Sequence, residues 1–359
     1  MNHRPSGAGL AWTVPPGTAD TVLVTGATGF LGSSLVHRLL ADGARVRVLA
    51  RSPGQAAWLA DQGAEVIAGD ITDRTAVRVA VDGADLIYHL AGRLFRPGVP
   101  AGEYRRTHVV GTELLLSCCQ NGSRPKRFVH CSTTGVLGVT GDKPANEQAP
   151  IRPTNVYEST KAEAEQAVRV AWRAGLPAVI ARPGLVYGPG DLHLLPFFRA
   201  VLGRRFRPIG RRRVWLHPIY IDDMTDGLLR CGRHENAVGE CFHLAGPAPV
   251  PLDGLARAIA QAGGTRLPAG YIPVLAAQAV AAFGDRLPPG LRQSAPLTRS
   301  RLDFLTHSRV YDVTKARRLL GFTATTDLPV GTARTMAWYR QQGYLRAGTA
   351  PANHSGRTE

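Results

Sequence analysis

The stretch VLVTGATGFLGSSLVHRLL, Val22 to Leu40, opens with the apolar run Val22–Val24 and closes with an amphipathic run from Phe30 to Leu40. The first predicts a buried parallel strand, the second a helix. Between them Gly26, Gly29 and Gly32 are spaced G-x-x-G-x-x-G. The spacing has a mechanical reading. Gly26 lets the chain turn sharply out of the strand. Gly29 lets backbone approach a pyrophosphate without an intervening Cβ. Gly32 lets helix and strand pack closely, and the helix N-terminus faces the anion with free N–H groups. With a strand before it and a helix after it, this turn points to dinucleotide binding.

Working outward, strands are expected at Thr21–Val24, Arg45–Leu49, Ala64–Ala68, Asp85–His89, Arg127–Cys131 and Ala178–Arg182. Helices are expected between them at Phe30–Ala41, Asp73–Val81, Glu103–Gln120 and Val156–Ala174. Such alternation builds an α/β fold with a parallel sheet covered on both faces. After Arg182 the pattern breaks into a segment rich in proline, glycine and arginine, from Pro183 to Arg213. Ile219–Cys231 then reads as a strand end plus helix and Cys241–Leu244 as another strand. The remainder is loop and helix, with a final helix at Val330–Gln342. This predicts a sheet portion, 20–182 and 214–245, and a discontinuous substrate portion, 183–213 and 246–345. Residues 1–19 read as a disordered leader and 346–359 as a loose tail.

Hydrophobic residues make up 44% and charged residues 19% of the 359 positions, a globular composition with enough chain for a sizeable core. The five cysteines are odd in number and lack metal-ligand spacing, which predicts reduced thiols in a cytoplasmic protein and no metal site. The net charge of +16 is almost all arginine, with one cluster at Arg204, Arg205, Arg207 and Arg211–Arg213. No nucleic-acid module is legible, so solvated arginines are favoured over a nucleic-acid partner. The longest apolar run, Val274–Phe283, is broken by Gln278 and is too short to span a bilayer. No signal peptide is expected in residues 1–19.

Several residues can carry chemistry. At the end of the second strand Ala50 stands where a carboxylate would bind a ribose 2′-hydroxyl, and Arg51 follows, which favours NADP(H) over NAD(H). Asp70 could meet the adenine amino group, with Ile71 covering the ring; the alternative for Asp70 is a turn residue. His89-Leu90-Ala91-Gly92 ends the fourth strand at the edge where open α/β sheets bind ligands. Tyr157 and Lys161 are four apart on a predicted helix and share a face. The hydroxyl cluster Ser132-Thr133-Thr134 ends the preceding strand. An ammonium beside a phenol lowers the phenol's pKa, so such a tyrosine can exchange a proton with an alcohol near neutral pH.

At these residues the chain resembles the extended short-chain dehydrogenase/reductase family. The matching motifs are TGATGFLG (Thr25–Gly32), GDI (Gly69–Ile71), HLAG (His89–Gly92), VHCSTTGVLG (Val129–Gly138), YESTK (Tyr157–Lys161), RPGLVYGPGD (Arg182–Asp191) and HPIYIDDM (His217–Met224). DVTKARRLLGF, Asp312–Phe322, is also similar to the family. The resemblance implies a Rossmann domain, a doubly wound parallel sheet, with a smaller C-terminal substrate domain and hydride transfer with nicotinamide. It places the catalytic roles on Thr133, Tyr157 and Lys161, choosing Thr133 within the hydroxyl cluster. It adds Thr28, Phe30, Leu31, His108, Pro183 and Val186 to the cofactor site beside Gly26, Gly29, Gly32, Arg51, Asp70, Ile71, Leu90, Ala91, Gly92, Tyr157 and Lys161. It also implies a homodimer through the helices at Glu103–Gln120 and Val156–Ala174.

Departures from the family pattern bear on the substrate. His108 stands where the family often has Asn, and Leu137 where it has Tyr. Leu185 stands where nucleotide-sugar members often carry an Asn that helps hold the substrate. Thr134 and Gly135 follow Thr133 where dehydratases have Asp-Glu. The favoured function is therefore a dehydrogenase or ketoreductase acting on an apolar alcohol or ketone, nearest the 3β-hydroxysteroid dehydrogenase-like branch, with HLLPFF (His193–Phe198) as an apolar wall. The alternatives are a nucleotide-sugar epimerase whose Arg204–Arg213 cluster grips the diphosphate, and a non-catalytic nucleotide sensor or scaffold.

Overall fold

The first strand, β1 (Thr21–Thr25), is covered on both sides: Val22 and Val24 enter one apolar layer and Leu23 the other. Burial on both faces is why this run is apolar without alternation. The computed structural model describes residues 20–345 apart from 123, 289–290, 292–294 and 296. The leader expected over 1–19 and the tail over 346–359 lie outside those residues.

β1 pairs in parallel with β2 (Arg45–Ala50) on one side and β4 (Leu86–His89) on the other. β3 (Glu65–Ala68) lies beyond β2, and β5 (Arg127–Cys131), β7 (Ala178–Pro183) and β11 (Cys241–Leu244) follow beyond β4. The seven-stranded sheet has the order β11-β7-β5-β4-β1-β2-β3 and is parallel throughout. The strand order reverses between β1 and β4. Open α/β sheets bind ligands in the crevice at such a switch point. Helices α1 (Phe30–Ala41) and α8 (Ile221–Arg233) cover one face with Leu35, Leu39, Met224 and Leu228. Helices α3 (Arg74–Val81), α5 (Gly111–Asn121) and α6 (Val156–Arg173) cover the other.

Three short strand pairs stand outside this sheet: β6 (Gly141–Ala145) with β13 (Arg309–Tyr311), β8 (Leu185–Tyr187) with β10 (Pro218–Tyr220), and β9 (Trp215–Leu216) with β12 (Val250–Pro251). A second apolar core gathers α7 (Leu195–Leu202), α9 (Leu252–Ala262) and the helix Leu328–Gln341 around Phe198, Ile259 and Tyr339. Leu194, Leu195 and Phe198 belong to that core, so most of HLLPFF is packing rather than an open wall.

The helix expected as one piece over Glu103–Gln120 is broken. It runs as α4 (Ala101–Arg105), a π-helical turn over Arg106–Val110, and α5. Within the widened turn the Thr112 hydroxyl donates to the His108 carbonyl at 2.5 Å. Such turns recur at functional sites, and this one carries His108, whose ring lies beside Tyr157 and beneath Gly92. A helix unread in the sequence, α2 (Pro53–Ala60), follows β2 with Pro53 in its first turn. That is where a missing N–H costs nothing.

Candidate functional site

The turn after β1 has the close approaches that its glycines predict. Gly26 has φ +74, and a Cβ there would lie 2.7 Å from the Ala91 nitrogen and from the Leu90 carbonyl group. A Cβ on Gly32 would lie 2.2 Å from the Gly26 oxygen, so helix and turn touch backbone to backbone. Gly29 is the N-cap of α1, no side chain caps it, and no acidic residue occupies the first turn. The donors at this helix end therefore face the crevice free, and the cradle suits an anionic pyrophosphate. Thr28 and Gly29 are exposed in it. Phe30 and Leu31 turn inward and reach the second core; Phe30 lies 3.2 Å from where a Gly190 Cβ would be.

A histidine network locks the two strand ends. The Ala91 N–H donates to Thr25 Oγ1 (3.2 Å), which bonds His89 Nδ1 (2.8 Å); His89 Nε2 then bonds Thr112 Oγ1 (2.8 Å). Donor counting puts the His89 proton on Nε2. Burial, with the charge of Lys161, pushes His89 down to about 3, so it stays neutral. His108 repeats the logic. The Arg93 N–H donates to its Nε2 (3.0 Å), so Nδ1 carries the proton to Thr160 Oγ1 (2.8 Å). Its ring meets the Tyr157 ring edge-on at 5.5 Å. Burial and the Lys161 ammonium hold it also at about 3.

Helix α6 presents Tyr157 in its first turn. Asn155 caps the helix by accepting from the Glu158 N–H (3.1 Å), and the Glu158 carboxylate accepts from the Thr154 N–H (2.6 Å). This reciprocal cap sets where the helix begins, and hence where the phenol points. The three hydroxyls after β5 diverge. Ser132 donates to Glu165 (2.5 Å) and Thr134 to the Pro183 carbonyl (2.9 Å). Thr133 Oγ1 accepts from the Gly135 N–H (3.1 Å) and is the hydroxyl of the three that favours the ionised Tyr157 phenol. Lys161 is 4% exposed and donates to the Cys131 carbonyl at 2.7 Å. Its Nζ and His108 Nε2 lie 3.8 and 3.5 Å from where a Gly92 Cβ would be, so both groups pack directly beneath Gly92.

One expectation is corrected. Tyr157 is raised above the ordinary phenol range by burial, and the Cys131 thiol adds to the rise; the Thr133 hydrogen bond opposes it without winning. Lys161 is spent on a carbonyl and is itself lowered by burial. The expected ammonium effect is therefore not delivered to the phenol; desolvation sets the direction, and the phenol stays protonated at neutral pH.

Behind the hydroxyls lies a buried ion pair that sequence reading missed. Glu165 accepts from Arg182 twice, at 2.8 and 2.7 Å, with the residues 0% and 1% exposed. The clue was available: Glu165 is one turn beyond Lys161, and Arg182 ends a buried strand. Burial alone would lower the Arg182 guanidinium, but the Glu165 hydrogen bonds reverse the direction.

At the other end of the crevice Arg51 lies 4.0 Å from Asp70. Burial works against the Asp70 charge. Two hydrogen bonds from Thr72 and the guanidinium groups of Arg51 and Arg106 outweigh it, holding the carboxyl below its ordinary range. Arg106, from the π-helical turn, is a second cation here that sequence reading missed. Ile71 is buried, and a Cβ on Gly111 would lie 2.8 Å from it, so it seats the start of α5 rather than standing open beside a ring. Pro183 is buried at the end of β7, and Val186 is half-buried on β8.

The model of the NAD dependent epimerase/dehydratase family matches residues 22–245. The 4-hydroxy-2-methyl-3-oxo-4-farnesyl-3,4-dihydroquinoline-1-oxide ketoreductase of Stigmatella aurantiaca is 32% identical over 83% of this chain and 90% of that protein. The 3 beta-hydroxysteroid dehydrogenase/Delta 5→4-isomerase of Mycobacterium tuberculosis is 31% identical over 84% of this chain and 85% of that one. The solved structure of MoeE5 with UDP-glucuronic acid and NAD aligns with TM-score 0.71 and 24% identity over 90% of this chain and 99% of that chain, a likeness of fold. With the family model spanning most of the chain and relatives this similar, the chain belongs to the NAD dependent epimerase/dehydratase family, and within it to the extended short-chain dehydrogenase/reductases, NAD(P)-dependent oxidoreductases.

Proposed function

We propose that this chain is a reductase or dehydrogenase interconverting an apolar ketone and its alcohol, with NADP(H) preferred over NAD(H). The observation that carries the reading is the sorting of the three hydroxyls: Ser132 and Thr134 are spent on Glu165 and Pro183, and Thr133 is the one that acts on the Tyr157 phenol, with Lys161 buried nearby. Nicotinamide, when bound, supplies or takes the hydride. The chain's own residues do the rest: the turn from Gly26 to Gly32 holds the pyrophosphate, Thr133 orients the substrate oxygen, and Tyr157 gives or takes the proton there. Lys161 and His108, both packed under Gly92, hold the floor of the site in place. We assign the sheet portion to 20–182 and 214–245 and the substrate portion to 183–213 and 246–345. A homodimer through the stretch 103–120 and the helix at 156–174 belongs to this reading and is supported by exposed Val110 on the first and Val170 on the second.

The substrate class rests on Leu185. It is half-buried and packs with Phe30 and Val186 against the second apolar core, offering no polar group to a sugar nucleotide. The names of the two curated relatives, a farnesylated quinoline ketoreductase and a steroid dehydrogenase, support the same class. Adding NADPH with a panel of lipophilic ketones is expected to consume cofactor absorbance. UDP- and dTDP-sugars are expected to bind poorly in calorimetry. Micromolar binding of a nucleotide sugar with epimer formation and no net cofactor consumption would replace this reading by the epimerase one.

The cofactor preference rests on Arg51 and on Ala50 offering no carboxylate. Arg51→Ala is expected to weaken NADP(H) by about 1–3 kcal/mol, the scale of a lost charge-assisted hydrogen bond, while sparing NAD(H). Titration of both cofactors against parent and variant tests this, and equal affinity of the parent for the two removes it.

A further inference from the structure

Helix α10 (Val274–Arg286) is built inside out. Its small residues Ala277, Ala281 and Gly284 are the buried ones. A Cβ on Gly284 would lie 2.1 Å from the Leu297 oxygen, so the helix sits close on its neighbour. Its large apolar side chains point away: Leu275 is 80% exposed, Phe283 67% and Val280 46%. Leu275, Ala279 and Phe283 recur at i, i+4 and i+8 and so form one outer stripe. From Leu267 to Gly284 the sequence has no charged residue. A surface helix ordinarily turns polar residues to water and large apolar ones to the core; this one turns small residues inward and large apolar ones to water.

The arginine-bearing loop lies against the segment leading into this helix, and a Cβ on Gly210 would lie 3.0 Å from Val274 in its first turn. Ile209 bridges to Ile272, the Gly210 N–H donates to the Ile272 carbonyl (2.8 Å), and the Arg207 guanidinium donates to the Ala269 carbonyl (3.1 Å). Arg211 stacks over the Tyr271 ring at 5.0 Å. Arg204, Arg205, Arg207, Arg211, Arg212 and Arg213 are all exposed. Of these, only Arg212 has a carboxylate partner among the described residues, Asp142 at 3.0 Å.

We propose that this face, α10 with the loop Arg204–Arg213, docks on the surface of a membrane containing anionic lipid. Exposed apolar side chains rimmed by cations and an amphipathic tyrosine are what an interfacial helix presents. Arginines alone would suit any polyanion, but Leu275 and Phe283 gain only from an apolar phase. A second copy of this chain is disfavoured as the occupant. A two-fold contact through this face would bring two copies of the cluster together, and like charges repel. Among the described residues no helix is long and apolar enough to cross a membrane, so the contact is peripheral.

The test is cosedimentation of the whole protein with vesicles of phosphatidylcholine alone or mixed with phosphatidylglycerol, at low and high salt. Binding is expected to need phosphatidylglycerol. Arg211→Ala and Arg213→Ala should each weaken it about fivefold, the value of one cation near an anionic surface. The double variant Leu275→Ser/Phe283→Ser should weaken it about tenfold or more, with an unchanged melting temperature because both side chains are exposed. Absence of vesicle binding overturns the proposal. So does binding that high salt removes but the serine variant does not, since that is adsorption to any polyanion. Self-association in sedimentation velocity that the serine variant abolishes, without vesicle binding, assigns the face to a second copy instead. Tyr157→Phe protein should bind vesicles like the parent, so this result and the reductase reading stand or fall separately.

Discussion

Tyr157→Phe is expected to cut turnover by about 10²-fold or more, with cofactor binding nearly intact. Proton supply decides this. Among the residues assigned to the reacting oxygen, Thr133 is a hydrogen-bonding partner and Lys161 is held on the Cys131 carbonyl. His108 is a neutral imidazole with both nitrogens engaged. That leaves the phenol as the group able to deliver a proton. Because burial raises Tyr157, the phenol is protonated at neutral pH, the form that ketone reduction consumes. Alcohol oxidation needs the ionised form, so its rate should climb as pH rises toward that raised value, while reduction should not. Rates in both directions across pH for parent and variant measure this. Lys161→Met should differ by damaging cofactor affinity as well as turnover, because its ammonium underlies Gly92. Retention of more than about a third of parental turnover in Tyr157→Phe would remove the phenol from the mechanism, since general acid/base loss leaves no room for so small an effect.

Glu165→Ala is expected to destabilise the protein by about 3–5 kcal/mol, the cost of stripping one partner from a buried ion pair. Arg182 is 1% exposed, with its Nε and one Nη on Glu165. Its remaining described bond, to the Glu147 carbonyl at 3.3 Å, is long, and the Glu147 carboxylate that also acts on it is engaged by the His243 N–H, so neither replaces the two Glu165 bonds. For a domain of ordinary stability, about 5–15 kcal/mol, such a loss approaches unfolding at body temperature. Ser132 would lose its acceptor too, and Ser132 precedes Thr133, so surviving folded protein should show lower kcat. Urea unfolding measures the stability change. Replacing both partners with methionine should recover most of it, because two apolar groups leave no stranded charge. A loss below about 1 kcal/mol in Glu165→Ala would mean that water or another acceptor reaches Arg182.

The boundaries of α1 at Phe30–Ala41, β5 at Arg127–Cys131 and β11 at Cys241–Leu244 were legible in the sequence. The reason is local. An apolar run between turn residues, a helical period and a glycine that must take positive φ are properties of adjacent residues. The dinucleotide turn is the clearest case, since Gly29 and Gly32 answer contacts within one strand–turn–helix unit, while Gly26 also answers the Leu90–Ala91 backbone after β4. Tyr157 and Lys161 were legible for the same reason, as neighbours on one helix face. The helix expected unbroken at Glu103–Gln120 shows where local rules end. Its π-helical turn is held by His108, whose partners Arg93 and Thr160 lie 15 and 52 residues away.

What the site residues do to one another follows from packing between distant parts of the chain. Three successive hydroxyls look alike in sequence, yet Ser132 and Thr134 are claimed by Glu165 and Pro183, 33 and 49 residues on. Ile71, an expected ring cover, is drawn into the core by Gly111. The sign of the Tyr157 shift reverses because its surroundings, and not its helical neighbour, set the balance. Desolvation sums over every atom that folding packs around a group. Spacing along a chain determines which residues can meet. Only packing determines how much water they lose when they do, and in this protein that loss sets the protonation of the site.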